Sequence, residues 1–306
     1  MMAAVLAPGS LVDPLIARRE EIRRIADASL GRRRLYGRIA ITVCGIFLLI
    51  ALIPLIAVIA YTVQRGIQAW SVAFFTQLPT PAGIPGGGIS NAIIGSLIID
   101  GIAIAGALPF GLLGGLFLAE SEGRIASTIR FTTDVLSGVP SIVLGIFAYI
   151  VLVRTLGHFS AIAASFALGV LMLPVIMRAS ETAIRSVPDS LTEAGLSLGA
   201  RKVTVSMRVV LPAALPGLIT GVLLALARGI GETAPLLFTA IGSEYYSTSP
   251  LKPIAAMPLV VYQDGIQAYS DLQARAWGTA LFLVLLVLIL SVGSRLMASW
   301  IGRVRR

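Results

Sequence analysis

Arg228 and Glu232 stand four residues apart in a stretch, Leu215 to Ile241, that is otherwise free of charge. A guanidinium in apolar surroundings is costly, so it has to face a partner or an aqueous path. Glu232 is the partner that helical spacing offers, although Arg preceding Glu is the weaker order of the pair. Gly229-Ile230-Gly231 and Pro235 loosen a helix at this point, and a loosened helix presents backbone N–H groups to an anion. The planar fork of arginine adds two parallel hydrogen bonds to an oxyanion. The chemistry written here is reversible anion binding inside an apolar environment.

Other chemistries find no support. Cys44 is the lone cysteine, so it can form neither an intrachain disulfide nor a metal cluster. The single histidine, His158, has no ligand partners at useful spacing and reads as a loop residue. A phosphate-cradling G-x-x-x-x-G-K-[ST] loop requires a Gly-Lys dipeptide, and the chain has none. Gly86-Gly87-Gly88, lying among Pro79, Pro81 and Pro85, reads as a turn-rich connector. The chain is therefore expected to bind no cofactor and to carry out no covalent reaction.

The elements that would hold Arg228 and Glu232 are membrane helices. Apolar residues make up 57% of the 306, only 13% are charged, and the mean hydropathy is +0.91. That is about half the charge of a soluble domain. A bilayer core needs about 20 apolar residues per helix, and six runs qualify: 39–63, 91–119, 135–153, 159–177, 215–241 and 276–294. Before them lies a basic leader, 1–38, and after residue 300 a short basic tail, 301–306. No cleavable signal peptide is expected, because the first apolar run is too long and begins too late. The net charge of +9 comes from 22 arginines and 2 lysines placed at the ends of apolar runs, not in a nucleic-acid-binding patch. Nineteen of these basic residues fall on one face of a six-span topology and four on the other, which puts both termini in the cytoplasm. Trp70, Phe74 and Phe75 are expected at the outer interface. Gly111 with Gly115 and Gly217 with Gly221 form G-x-x-x-G pairs suited to close helix packing. Asp100, inside the second run, reads as a packing or subunit-contact residue.

The segment 186–212 is too long for a simple connector. Ser190 and Glu193 have capping-box spacing, Pro188 ends what precedes them, and Gly199 suits the left-handed residue that closes a short helix. A second short helix is expected to lead to Leu211-Pro212. Glu193-Ala194-Gly195, Gly199, Val209, Leu211 and Pro212 together resemble the EAA loop of ABC importer permeases, whose pattern is E-A-A-x3-G-x9-I-x-L-P. Gly195 and Val209 depart mildly from it. The resemblance implies an all-α polytopic membrane protein with the six-helix type I importer (MetI-like) permease fold. Glu193, Ala194, Gly195, Gly199, Leu211 and Pro212 would then belong to a coupling helix that docks on an ATPase.

The segment Leu226 to Ala240, with Gly231-Glu232-Thr233-Ala234-Pro235-Leu236-Leu237 at its centre, closely resembles the A-type permease of phosphate-specific ABC importers. Gly138-Val139-Pro140-Ser141-Ile142-Val143 is similar to both permease types of that system. This resemblance extends from about Ile39 to the end of the chain. It implies that Arg228, Glu232 and Thr233 line a phosphate pathway and that Arg178 guards its cytoplasmic end. It also implies a C-type permease partner in a heterodimer, an ATP-binding subunit dimer that holds ATP and Mg, and an external phosphate-binding protein. Membrane lipid is the remaining partner, and the setting is the cytoplasmic membrane of a prokaryote. Rival readings are a permease for sulfate or molybdate, a membrane scaffold reporting phosphate status, and a secondary phosphate carrier.

Overall fold

A computed structural model of the chain describes residues 12–304. The first eleven residues of the expected leader, and Arg305 and Arg306 of the expected tail, lie outside the described residues. The described chain is almost entirely helical and divides by contact between Tyr61 and Thr62 into two units.

The first unit consists of one helix. α1 (Val12–Gly66) runs for 55 residues without a break, so the leader and the first span are one element where the sequence suggested two. The join is rich in Arg, Leu and Ala, which favour helix, and neither Gly31 nor Gly37 interrupts it. From Leu35 to Tyr61 the side chains are nearly all apolar and mostly exposed, Ile41 and Phe47 among them. That pattern belongs to a helix whose surroundings are themselves apolar.

The second unit holds the remaining elements: α2 (Val72–Thr76), α3 (Ser90–Glu120), α4 (Arg124–Gly138), α5 (Ser141–Leu156), α6 (Ala161–Arg185), α7 (Asp189–Ser197), α8 (Lys202–Ile230), α9 (Ala234–Leu237), α10 (Met257–Gly265) and α11 (Ser270–Val304). Its centre is α6, packed by α3 on one side and α8 on another. Both glycine pairs serve this packing. A methyl group at Gly111 would strike Ile176, and one at Gly115 would strike Ser180. Gly217 and Gly221 in turn admit Ala183 and Ala179. Ile99, Leu168, Met172, Ile176, Leu236 and Leu259 close the main core. Among the buried polar groups, the Ser165 hydroxyl is within 2.9 Å of the Ile99 carbonyl, joining α6 to α3. Trp70, Phe75 and Phe282 form an edge-to-face cluster, and the Trp70 indole N–H donates to the Gly278 carbonyl at 3.0 Å. Phe74 is buried beneath them.

Among the described residues five helices are long and apolar enough to cross a membrane, and there are six spans if the bent pair α4–α5 is counted as one. Boundaries moved where helix continues past the apolar run. The fourth expected span, 159–177, extends to Arg185, and the sixth, 276–294, fills only the middle of α11. The third, 135–153, straddles a bend of 99° between α4 and α5. Pro140 explains the bend, since proline has no N–H and drives Val139 into extended backbone, φ −68° and ψ 129°. The fifth, 215–241, differs most, because α8 begins at Lys202 and stops at Ile230.

Candidate functional site

The end of α8 places Arg228 in its last turn, where a cation meets the negative end of the helix dipole. Gly231 closes the helix, with the N–H groups of Gly231 and Glu232 donating to the carbonyls of Arg228 and Gly229 at 3.3 and 3.0 Å. Glu232 and Thr233 therefore lie in a break between α8 and α9, not inside a continuous span. The cause is local. Gly229 and Gly231 lower helix propensity, and Pro235 starts α9 afresh. Gly229 has a second duty, because any Cβ there would collide with the tip of Met172 on α6.

Arg228 Nε lies 3.7 Å from Glu232 Oε1, with side-chain exposures of 46% and 20%. This is a loose ion pair, and among the described residues the Arg228 guanidinium makes no hydrogen bond. Thr233 caps α9 through its carbonyl, which accepts from Leu236 and Leu237 at 3.1 and 3.2 Å, while its hydroxyl makes no cap bond. α5 meets this break closely. A methyl group at Gly145 would lie 2.7 Å from Pro235 Cα. The helices that follow the breaks at Gly138–Pro140 and Gly231–Thr233, α5 and α9, thus approach each other closely.

Arg178 belongs to a different cluster. The facing pairs Met172/Gly229, Ala179/Gly221 and Ala183/Gly217 show that α6 and α8 run antiparallel. Arg178 is accordingly level with residue 222, about 9 Å of helix rise from the level of Arg228. Its guanidinium bonds Asp134 on α4 and, at 3.2 Å, Glu181. Glu181 is buried and also takes Arg130 Nε at 2.7 Å and Arg185 at 3.3 Å. Arg130 and Arg185 donate in addition to the Leu118 carbonyl, and Arg130 to that of Ser121 at 3.2 Å. These carbonyls end α3 and have no helical partner, so the guanidiniums cap it. Three guanidiniums against two carboxylates leave the cluster positive. From sequence Arg130 is only one of the nineteen basic residues on one face, and Glu181 and Asp134 are not singled out, although the spacing Arg178, Glu181, Arg185 places all three on one helix face.

Asp100 is buried on α3, and its Oδ1 has no hydrogen-bond partner. The small space beside it is lined by Ser96, Leu168, Gly229 and Ile230, so it adjoins the end of α8.

In the segment 186–212, α7 carries Glu193 and Ala194 on its exposed side. The expected capping box is absent. Pro188 occupies the cap position and accepts the Leu191 N–H at 3.1 Å, which puts Ser190 inside the first turn. Gly199 ends the helix with φ +79°, a backbone that glycine adopts without strain. Gly195 packs on α8, and a methyl there would lie 3.0 Å from both branches of Val205. Leu211 and Pro212 do not follow a separate short helix, as they belong to α8 itself. A wide π-turn at Ser206–Val210 precedes them, and it accommodates the missing N–H and the ring of Pro212 within one helix. Leu211 packs on an apolar cluster of Ala183, Ile184, Val205 and Leu218.

Long apolar helices around a central small-residue seam, a short closed helix presented at one end, and an arginine at a helix break define a polytopic membrane-transport component. The chain belongs to the family of binding-protein-dependent transport system inner membrane components, which matches residues 111–306. It is 38% identical over 265 residues to a Yersinia pestis protein called phosphate transport system permease protein PstA, covering 86% of this chain and 90% of that one. A Xylella fastidiosa protein of the same name is 40% identical over 267 residues, covering 86% and 93%. The fold is that of a MetNI methionine ABC transporter chain in an inward-facing conformation, with a TM-score of 0.55 and 22% identity over 70% of this chain and 95% of that one.

Proposed function

We propose that this chain is the A-type permease of an ATP-driven, binding-protein-dependent importer, and that its cargo is inorganic phosphate. The observation that carries the cargo is Arg228. It is half exposed at a helix break, tied only loosely to Glu232, with its planar donors free. A phosphate oxygen pair fits that fork. Extensive identity to proteins named as phosphate transport permeases supports the same cargo.

In this reading Arg228, Glu232 and Thr233 line the pathway at its narrow part. Glu232 keeps Arg228 oriented between turnovers and is displaced as the anion arrives. Arg178 serves the cytoplasmic mouth, where the positive cluster around Glu181 attracts the leaving anion. A second, C-type permease faces the exposed side of Arg228 and completes the path. α7, with Glu193, Ala194, Gly195 and Gly199, docks on one subunit of an ATPase dimer, and Leu211 and Pro212 root it in α8. That dimer, not this chain, holds ATP and Mg. Both termini are cytoplasmic, and an external phosphate-binding protein delivers the cargo on the opposite side.

The test is labelled phosphate uptake into proteoliposomes holding this chain, the partner permease, the ATPase and the binding protein. ATP-dependent uptake that sulfate does not compete away is the expected result. Hydrolysis stimulated by a loaded binding protein, with sulfate or molybdate carried, would overturn the cargo. Uptake indifferent to ATP would overturn the importer.

A further inference from the structure

The segment carrying α7 is attached to the rest of the helices twice. One attachment is apolar, through Val205, Val210, Ala214 and Leu218 against the ends of α3 and α6. Such a contact is non-directional and tolerates sliding. The other is polar and directed. Ser206, buried at the start of the π-turn, donates its hydroxyl to Glu120 Oε1, and Lys202 Nζ lies 3.7 Å from Glu120 Oε2. Glu120 is the last residue of α3. Two residues earlier, the Leu118 carbonyl is held by Arg130 and Arg185, which also hold Glu181. Arg130 belongs to α4, and four residues beyond it Asp134 holds Arg178. α4 then ends in the 99° bend, from which Gly145 reaches Pro235 beside the Arg228 break. Directed bonds therefore link the π-turn of α8 to the ends of α3 and α6 and to α4, and beyond the bend α5 packs closely on α9.

We propose that Glu120 is a coupling residue, which converts displacement of the α7 segment into movement of α3 and, through Arg130 and Glu181, of α4 and its bend. This rests on the importer reading above and adds to it a second transmission route beside α8. A π-turn is a weak point along a helix, so a push on α7 delivered through α8 alone would be absorbed at Ser206–Val210. Glu120 grips that point from outside, which makes the push a movement of the whole layer.

The test uses the complete complex in proteoliposomes and reads two quantities together, ATP hydrolysed and phosphate imported. Glu120→Ala is expected to raise ATP consumed per phosphate by about tenfold, the effect of losing one pairwise coupling of ordinary size. Glu120→Gln keeps an acceptor for Ser206 and should restore most of the coupling. Ser206→Ala should reproduce Glu120→Ala, and the double variant should be no worse than either single one. An unchanged ratio of ATP to phosphate overturns the proposal. Hydrolysis and uptake falling in proportion, or losses that simply add in the double variant, also overturn it and leave Glu120 a structural residue. Failure of the importer reading would appear separately, as absence of ATP-dependent phosphate uptake by the unaltered chain.

Discussion

The carboxylate of Glu181 lies 2.7 Å from Arg130 Nε, across the interface of two helices whose residues are 51 positions apart in sequence. Glu181 is almost fully enclosed, and Arg178 and Arg185 complete its surroundings. One buried acid thus balances cations from two helices and, through the Leu118 carbonyl, fixes the end of a third.

Removing that charge should be severe. Glu181→Gln leaves Arg130, Arg178 and Arg185 with Asp134 as the remaining carboxylate of the cluster, and losing one buried acceptor from partly exposed guanidiniums costs about 1–3 kcal/mol. Thermal unfolding of the assembled complex in detergent should show a clear loss of stability. A variant as stable as the unaltered chain would mean that the arginines find other acceptors.

Arg228→Ala should leave assembly intact and lower phosphate uptake by about a hundredfold, the loss expected from two charge-assisted hydrogen bonds. Arg228→Lys keeps the charge but loses the fork and should retain about a tenth of the uptake. Normal uptake by the alanine variant would remove Arg228 from the pathway.

Gly145→Ala should separate the two helix breaks. The new methyl would lie 2.7 Å from Pro235 Cα, which is backbone and cannot rotate away. A cost of about 1–3 kcal/mol follows. Uptake should fall while a disulfide crosslink from Ala194→Cys to the ATPase still forms. Loss of both would place the damage in folding, not at the break.

Gly195 offers a test with opposing terms. Alanine there gains about 1 kcal/mol of helix propensity but presses its methyl on Val205, at a cost of about 1–3 kcal/mol. Gly195→Ala alone should therefore be neutral or destabilising. In a Val205→Ala background the same change should stabilise, and melting temperatures of the four variants check the reversal.

Much of the architecture was legible along the chain because lipid imposes a simple rule on sequence. Apolar runs about 20 residues long announced the helices, the Gly111/Gly115 and Gly217/Gly221 pairs announced their close approach, and Gly199 announced the end of α7. The spacing from Glu193 to Pro212 could be read for family. Less legible were the helix ends, because hydropathy reports the apolar run and not the helix. α6 and α8 continue well into charged turns, and the Arg228 stretch, apolar through Ile241, conceals a break at Gly231.

The sequence by itself determined the class of protein, the pairing of Arg228 with Glu232 at helical spacing, and the short closed helix of α7. These follow from composition and from interactions among near neighbours. Only the tertiary structure decided that Arg178 spends its charge on Asp134 and Glu181, that Gly195 faces Val205, and that Glu120 reaches Ser206. Each of these joins residues distant in sequence, and a guanidinium or carboxylate takes whichever partner packing brings within about 3 Å. Periodicity carries no record of that distance, which is set by how α3, α4, α6 and α8 lie against one another.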